Sequence, residues 1–174
     1  MARQLISPEQ LLTRPYDLWE HQWLVLTSGD FAAGRFNGMT VAWGAFGSMW
    51  ARPFAQVVVR PQRYTFEFME KYPTFTVCAF PAAFRPALNL MGSKSGRQLD
   101  KIAAAGLTPI ASSAAAAPGY AEAELIVECR KLYWDDMEPA HFLDPDLGRN
   151  YPNRDYHRIY YGEILAIWGE EKYK

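Results

Sequence analysis

Three short segments carry residues suited to holding a flat, phosphorylated ligand. Arg60-Pro61-Gln62-Arg63-Tyr64-Thr65 follows an apolar run and precedes a helix that Thr65 could cap. Two guanidiniums, a hydroxyl and free backbone N–H groups there can cradle phosphate. Arg grips phosphate oxygens in pairs, and a helix N-terminus favours negative charge. Gly92-Ser93-Lys94-Ser95-Gly96-Arg97 repeats the combination at a second helix start, but lacks the order of residues that a triphosphate-binding loop needs. Either segment alone also reads as a solvated basic turn or a capped helix end. Two such starts in one chain favour a phosphorylated ligand. The third segment, Asn37-Gly38-Met39-Thr40-Val41-Ala42-Trp43-Gly44, has small residues that let a planar ligand lie against the backbone, with Asn37 and Thr40 as hydrogen-bond partners. Its alternative is a strand with glycines at a barrel bend.

The side chains of hydrolytic catalysis do not assemble. There is no GxSxG elbow, no HExxH and no Cys–His pair at recognisable spacing. His157, in Asp155-Tyr156-His157-Arg158, is the best titratable candidate to touch a ligand or carry a proton, although a strand histidine is often structural. His21 and His141 have weaker cases. Asp135-Asp136, Glu138, Asp144 and Asp146 lack a calcium-loop pattern and read as a solvated loop. Cys78 and Cys129 sit far apart in apolar stretches, which predicts two buried, reduced thiols and no metal site.

The elements that must position these segments are mostly strands. Apolar or alternating runs predict strands over Gln22–Thr27, 36–44, Phe54–Arg60, Thr74–Phe80, Ala121–Trp134 and Asp155–Trp168, the last interrupted at Gly162. Helices are expected over Thr65–Lys71, Ala83–Leu90 and Gly96–Ala105, with Ser95 and Gln98 at capping-box spacing. Residues 111–119, small and low in complexity, read as a surface loop, and residues 1–21 as an N-terminal extension of one domain spanning 1–174. Helices do not follow every strand, which disfavours a doubly wound sheet. A closed or nearly closed antiparallel β-barrel with helical insertions fits better.

Composition narrows the partners. The chain has 174 residues, with 18 basic and 19 acidic side chains for a net charge of −1, so a polyanion such as nucleic acid is not expected. No stretch approaches the roughly 20 apolar residues of a membrane helix. The N-terminal apolar run is too short for a secretory signal, so a cytoplasmic protein is expected. Six Trp, 10 Tyr and 10 Phe need a large core, an interface or a flat ligand.

Five blocks together carry a resemblance: Asn37–Gly44, Val59–Glu70, Gly92–Lys101, Glu122–Tyr133 and Asn150–Tyr160. In order and over nearly the whole chain, they resemble the flavin reductase-like, flavoredoxin-type proteins. The resemblance implies a mainly β fold, a split antiparallel β-barrel with short helical insertions. It also implies non-covalent FMN and a homodimer with the flavin near the subunit interface. By position, Asn37, Met39, Thr40, Val41, Ala42 and Trp43 would lie along the isoalloxazine and ribityl chain. Arg60, Gln62, Arg63, Tyr64 and Thr65 would face the ribityl–phosphate end. Ser93, Lys94 and Ser95 would hold the phosphate, with His157 near the site. Ala42 stands where many relatives carry Ser. The implied activity is hydride transfer from NADH or NADPH to the flavin, which needs no acid–base triad. The chain lacks a GxGxxG fingerprint, so a nicotinamide would bind transiently. The alternatives are an electron carrier that keeps FMN bound and trades electrons with a redox partner protein, and a barrel that sequesters a flat ligand.

Overall fold

The computed structural model describes residues 2–174. In chain order the strands are β1 (Gln4–Leu5), β2 (Leu24–Asp30), β3 (Arg35–Val41), β4 (Gly44–Met49), β5 (Arg52–Val59), β6 (Thr74–Ala79), β7 (Pro109–Ile110), β8 (Gly119–Tyr120), β9 (Leu125–Asp136) and β10 (Arg158–Gly169). The helices are α1 (Tyr64–Lys71), α2 (Arg85–Ser93) and α3 (Lys101–Ala104). An eight-stranded antiparallel sheet runs β3-β2-β6-β9-β10-β5-β4, with β1 beside the end of β10, and β7–β8 form a separate ribbon. β3 and β4 are consecutive in the chain, joined only by Ala42 and Trp43, yet they are the two unpaired edges. The sheet is therefore a barrel split along one seam, and the seam opens at Ala42–Trp43. No helix among the described residues is long and apolar enough to cross a membrane.

Both faces of the central strands are covered, which is why they read as near-continuous apolar runs. Leu24 and Leu26, Phe75 and Val77, and Leu125 and Val127 point into the barrel with Val57, Val59, Tyr160 and Ile167. The alternate residues Val25, Cys78 and Ile126 point outward under Leu88 and Met91 of α2, Ile102 of α3 and Tyr120. Both cysteines are buried and free, and burial pushes the Cys78 thiol up to about 12. The predicted break at Gly162 is a bulge within one long strand, where an added Cβ would stand 2.5 Å from the Phe75 ring.

Several expectations are corrected. The 36–44 run ends at Val41, and β4 is a further strand. The turn closing the β4–β5 hairpin places Trp50 and Ala51 at φ 55°, a region usually marked by Gly or Asn, so the hairpin carries no sequence signal. The expected N-terminal extension, described over residues 2–21, packs on the barrel: β1 pairs with β10, and Ile6, Leu18 and Trp19 enter the core. The helix expected over 96–105 shrinks to α3, capped by Asp100 accepting from Ala103 N–H at 3.1 Å rather than by Ser95. The low-complexity loop is anchored, not merely solvated. The buried carboxylate of Glu128 accepts from the N–H groups of Ser113, Ala114 and Ala115, and residues 117–119 are buried. Asp136 belongs to β9 and takes both arms of Arg158 at 2.7 Å, while Glu138 and Asp144 cap short 3-10 turns.

Candidate functional site

The barrel seam forms one half of the site. Met39, Thr40, Val41, Ala42, Trp43, Val58, Arg60 and His157 line a shallow recess of about 150 Å³. Met39 and Val41 turn their side chains into the barrel core, whereas the Thr40 hydroxyl donates to the Leu88 carbonyl of α2. What the recess offers a ligand is therefore chiefly the backbone of 39–43, the small Ala42 and the 41 % exposed Trp43 ring. His157 closes the recess, its ring centroid 5.2 Å from that of Trp43 and its Nδ1 2.8 Å from the Tyr151 hydroxyl. Burial, with the positive charge of Arg60, lowers His157 to about 4, so the imidazole is neutral at neutral pH.

The second half is a cationic corner where the 60–65 turn meets the end of α2. Arg63 donates to the Gly92 carbonyl and forms no ion pair among the described residues. Burial and neighbouring Arg60 lower its proton affinity. Lys94 extends into solvent nearby, also without an ion pair. Ser95 Oγ accepts from Arg97 N–H at 3.3 Å. The backbone N–H groups of Ser95 and Gly96 have no acceptor among the described residues. Gly96 itself is required, because a Cβ there would stand 2.2 Å from Asn37 Oδ1.

The expected residues thus divide into three groups. Met39–Trp43 and His157 meet at the seam, with Arg60 beside them. Arg63, Ser93, Lys94 and Ser95 meet at the corner. The remainder brace the two halves. Asn37 is buried and donates to Thr65 Oγ1 at 2.7 Å, so Thr65 does not cap α1; Arg63 occupies the cap position. Arg60 donates to Asp155 at 2.9 Å and to the Asn150 carbonyl at 2.8 Å, and Gln62 also donates to Asp155. Asp155 Oδ1 is shielded and has no hydrogen-bond partner among the described residues. Tyr64 lies under the Arg97 guanidinium, 4.9 Å from its ring centroid, and with Asn37 it borders a separate open groove of about 630 Å³.

This geometry matches a known family. A family model described as the flavin reductase like domain matches residues 20–174. The chain belongs to the flavin reductase-like family. Among solved structures it is similar to an FMN-binding domain of a flavin reductase-like enzyme from Shewanella baltica, with TM-score 0.69 and 17 % identity over 97 % of this chain and 78 % of that one. Flavoredoxin of Desulfovibrio vulgaris gives TM-score 0.67 and 22 % identity over 92 % and 73 % of the two chains. An NADH:FAD oxidoreductase from Streptomyces globisporus, solved with NAD and FAD fragments, gives TM-score 0.62 and 20 % identity over 84 % and 73 %. No curated protein matches significantly. These likenesses show the split-barrel fold.

Within that family fold, four residues matter that the motif reading did not place at the site. Tyr151 and Asp155 lie in a resemblance block, but their contacts with His157, Arg60 and Gln62 are visible only in three dimensions. Lys101 closes another block and is buried. Gly96 follows the Ser93–Ser95 segment and offers an N–H without an acceptor among the described residues. No cluster of three His, Cys, Asp or Glu residues that could hold a metal occurs among the described residues.

Proposed function

We propose that the protein binds FMN non-covalently across the seam and the cationic corner, and acts as an NAD(P)H-dependent flavin reductase. The observation that carries this reading is the corner: a half-buried guanidinium without an acid partner among the described residues, beside two backbone N–H groups without an acceptor among them. These donors are half-exposed, and an anion can complete them with charge-assisted hydrogen bonds. When bound, FMN supplies the redox chemistry, taking a hydride from a nicotinamide. Arg63, Lys94 and the N–H groups of Ser95 and Gly96 bind the phosphate. The backbone of 39–43 and Trp43 orient the ring system, and neutral His157, held by Tyr151, offers a hydrogen bond without placing charge in the recess.

A recess of about 150 Å³ is smaller than the ~300–1,000 Å³ of sites that enclose a ligand of this size. A second copy of the chain supplies the missing wall. The surface available to it is an aromatic cluster on the sheet, where exposed Trp50 lies 6.0 Å from exposed Tyr133 and 6.2 Å from half-buried Tyr161 between ring centroids.

The second reading, an electron carrier that keeps FMN and exchanges electrons with a partner protein, draws its support from the likeness to flavoredoxin. An absorbance spectrum of the purified protein with added FMN, followed by anaerobic titration with NADH and NADPH, separates the two. Bleaching by a nicotinamide supports the reductase. Reduction only by a reductase or a reduced ferredoxin supports the carrier. A protein that takes up no FMN overturns both.

A further inference from the structure

Lys101 is the only lysine or arginine fully buried among the described residues, at 3 % exposure. It stands at the first position of α3, and its ammonium reaches back to the end of α2. There Nζ donates to the Met91 carbonyl at 2.9 Å and to the Lys94 carbonyl at 3.2 Å. Arg63 donates to the Gly92 carbonyl between them. The last carbonyls of a helix have no partner within it and carry its partial negative charge. Two cations thus hold three carbonyls, those of Met91 and Gly92 in the last turn of α2 and that of Lys94 within the Ser93–Gly96 segment. Lys94 N–H closes the helix on the Leu90 carbonyl at 3.0 Å, and Gln98 N–H closes the following turn on the Ser95 carbonyl at 3.1 Å.

The arrangement is expensive for the protein by itself. Lys101 forms no ion pair among the described residues, and burial, with Arg63 beside it, lowers its pKa to about 8. The α2 end needs donors here, but an apolar side chain would avoid the cost of burying a charge. The ammonium has a use if the segment it holds must be ready for an anion.

We propose that Lys101 is a positioning residue for phosphate: it fixes the Ser93–Gly96 segment so that the N–H groups of Ser95 and Gly96 face the cofactor's phosphate before the cofactor arrives. This rests on the FMN reading above. The test compares FMN with riboflavin, which shares the ring and ribityl chain but lacks phosphate. Lys101→Met should weaken FMN by about tenfold or more while riboflavin affinity stays within about twofold of wild type. Lys101→Gln, which keeps a neutral NH2 donor group but loses the charge, should fall between wild type and Lys101→Met. A folded variant that retains the wild-type preference for FMN, or loses both ligands equally, overturns the proposal. Amide exchange on the unliganded wild-type protein is an independent readout needing no variant. The amides of Lys94 and Gln98 should be protected without FMN, and exchange at free-chain rates would overturn the proposal. Wild-type protein that binds neither flavin, or both equally, would instead remove the FMN-phosphate reading on which this rests.

Discussion

Replacing Arg63 with Met should separate stability from function. The side chain meets one protein acceptor, the Gly92 carbonyl, and no carboxylate among the described residues. In the unliganded protein the variant loses that hydrogen bond, about 1 kcal/mol, but is relieved of a half-buried charge pressed by Arg60. The two effects oppose each other, so melting should move by no more than the ~2–4 °C that 1 kcal/mol represents in a domain of this size. With FMN the balance changes. A charge-assisted hydrogen bond contributes about 1.5–3 kcal/mol, which weakens binding roughly 10- to 150-fold when it is lost. At FMN a thousandfold above the wild-type Kd, ligand stabilises wild type by about 4 kcal/mol; a variant bound a hundredfold more weakly keeps about 1.4 kcal/mol. Thermal melting with and without FMN, beside fluorescence titrations with FMN and riboflavin, reads both quantities. Equal weakening of FMN and riboflavin would refute the assignment of Arg63 to phosphate. So would an unliganded variant that melts as far below wild type as the liganded one.

Three further outcomes follow from the same geometry. His157 titrates near 6.5 in the unfolded chain and about 4 in the fold, so the unfolded state binds the extra proton between these values. Its contribution to stability is therefore complete above pH 6.5 and declines as pH falls toward 4, by at most about 3 kcal/mol. Urea midpoints at pH 7 and pH 4.5 should show a smaller gap in His157→Phe than in wild type. Glu128→Ala leaves the N–H groups of Ser113, Ala114 and Ala115 without their carboxylate and should cost about 2–5 kcal/mol in chemical denaturation, with the FMN Kd unchanged in the folded fraction. Trp50→Asp places a charge in the aromatic cluster. Wild type should elute as a dimer and the variant as a monomer with weaker FMN binding, because the recess then loses its second wall.

The central strands were legible because their chemistry is local: Phe75, Val77 and Ala79 alternate into the barrel, and the helix-covered outer face adds Cys78 to the run. β4 was not legible, because Trp50 and Ala51 adopt a left-handed turn without the residues that advertise one. The α3 start was misread for a related reason. Ser95 and Gln98 have capping-box spacing, but Asp100 caps a shorter helix and leaves Ser95 in the irregular segment beside Arg63. At the candidate site, the motif positions name segments that the fold brings together at the seam and the corner, but they do not distinguish exposed groups from braces. Asn37 and Thr65 carry suitable donors and acceptors, yet they bond each other in the interior. Pairings such as Arg60 with Asp155, 95 positions apart, depend on the barrel bringing β5 beside β10, which no local pattern records.

That pairing explains how a chain of net charge −1 can present a cationic corner. Acids are placed on neighbouring cations: Asp155 on Arg60, Glu67 on Arg97, Asp136 and Glu70 on Arg158, and Glu163 on Arg52 and Arg130. Arg63 is close enough to lower the proton affinity of Lys101, and the side-chain hydrogen bonds of both cations among the described residues go to carbonyl oxygens. Carbonyls satisfy the donors' geometry without cancelling their charge. A carboxylate here would stabilise the unliganded protein better and, on the proposed function, would also occupy the position of the FMN phosphate. The corner is therefore positive because acids are kept out of it while they neutralise the cations around it, and total charge hides this arrangement.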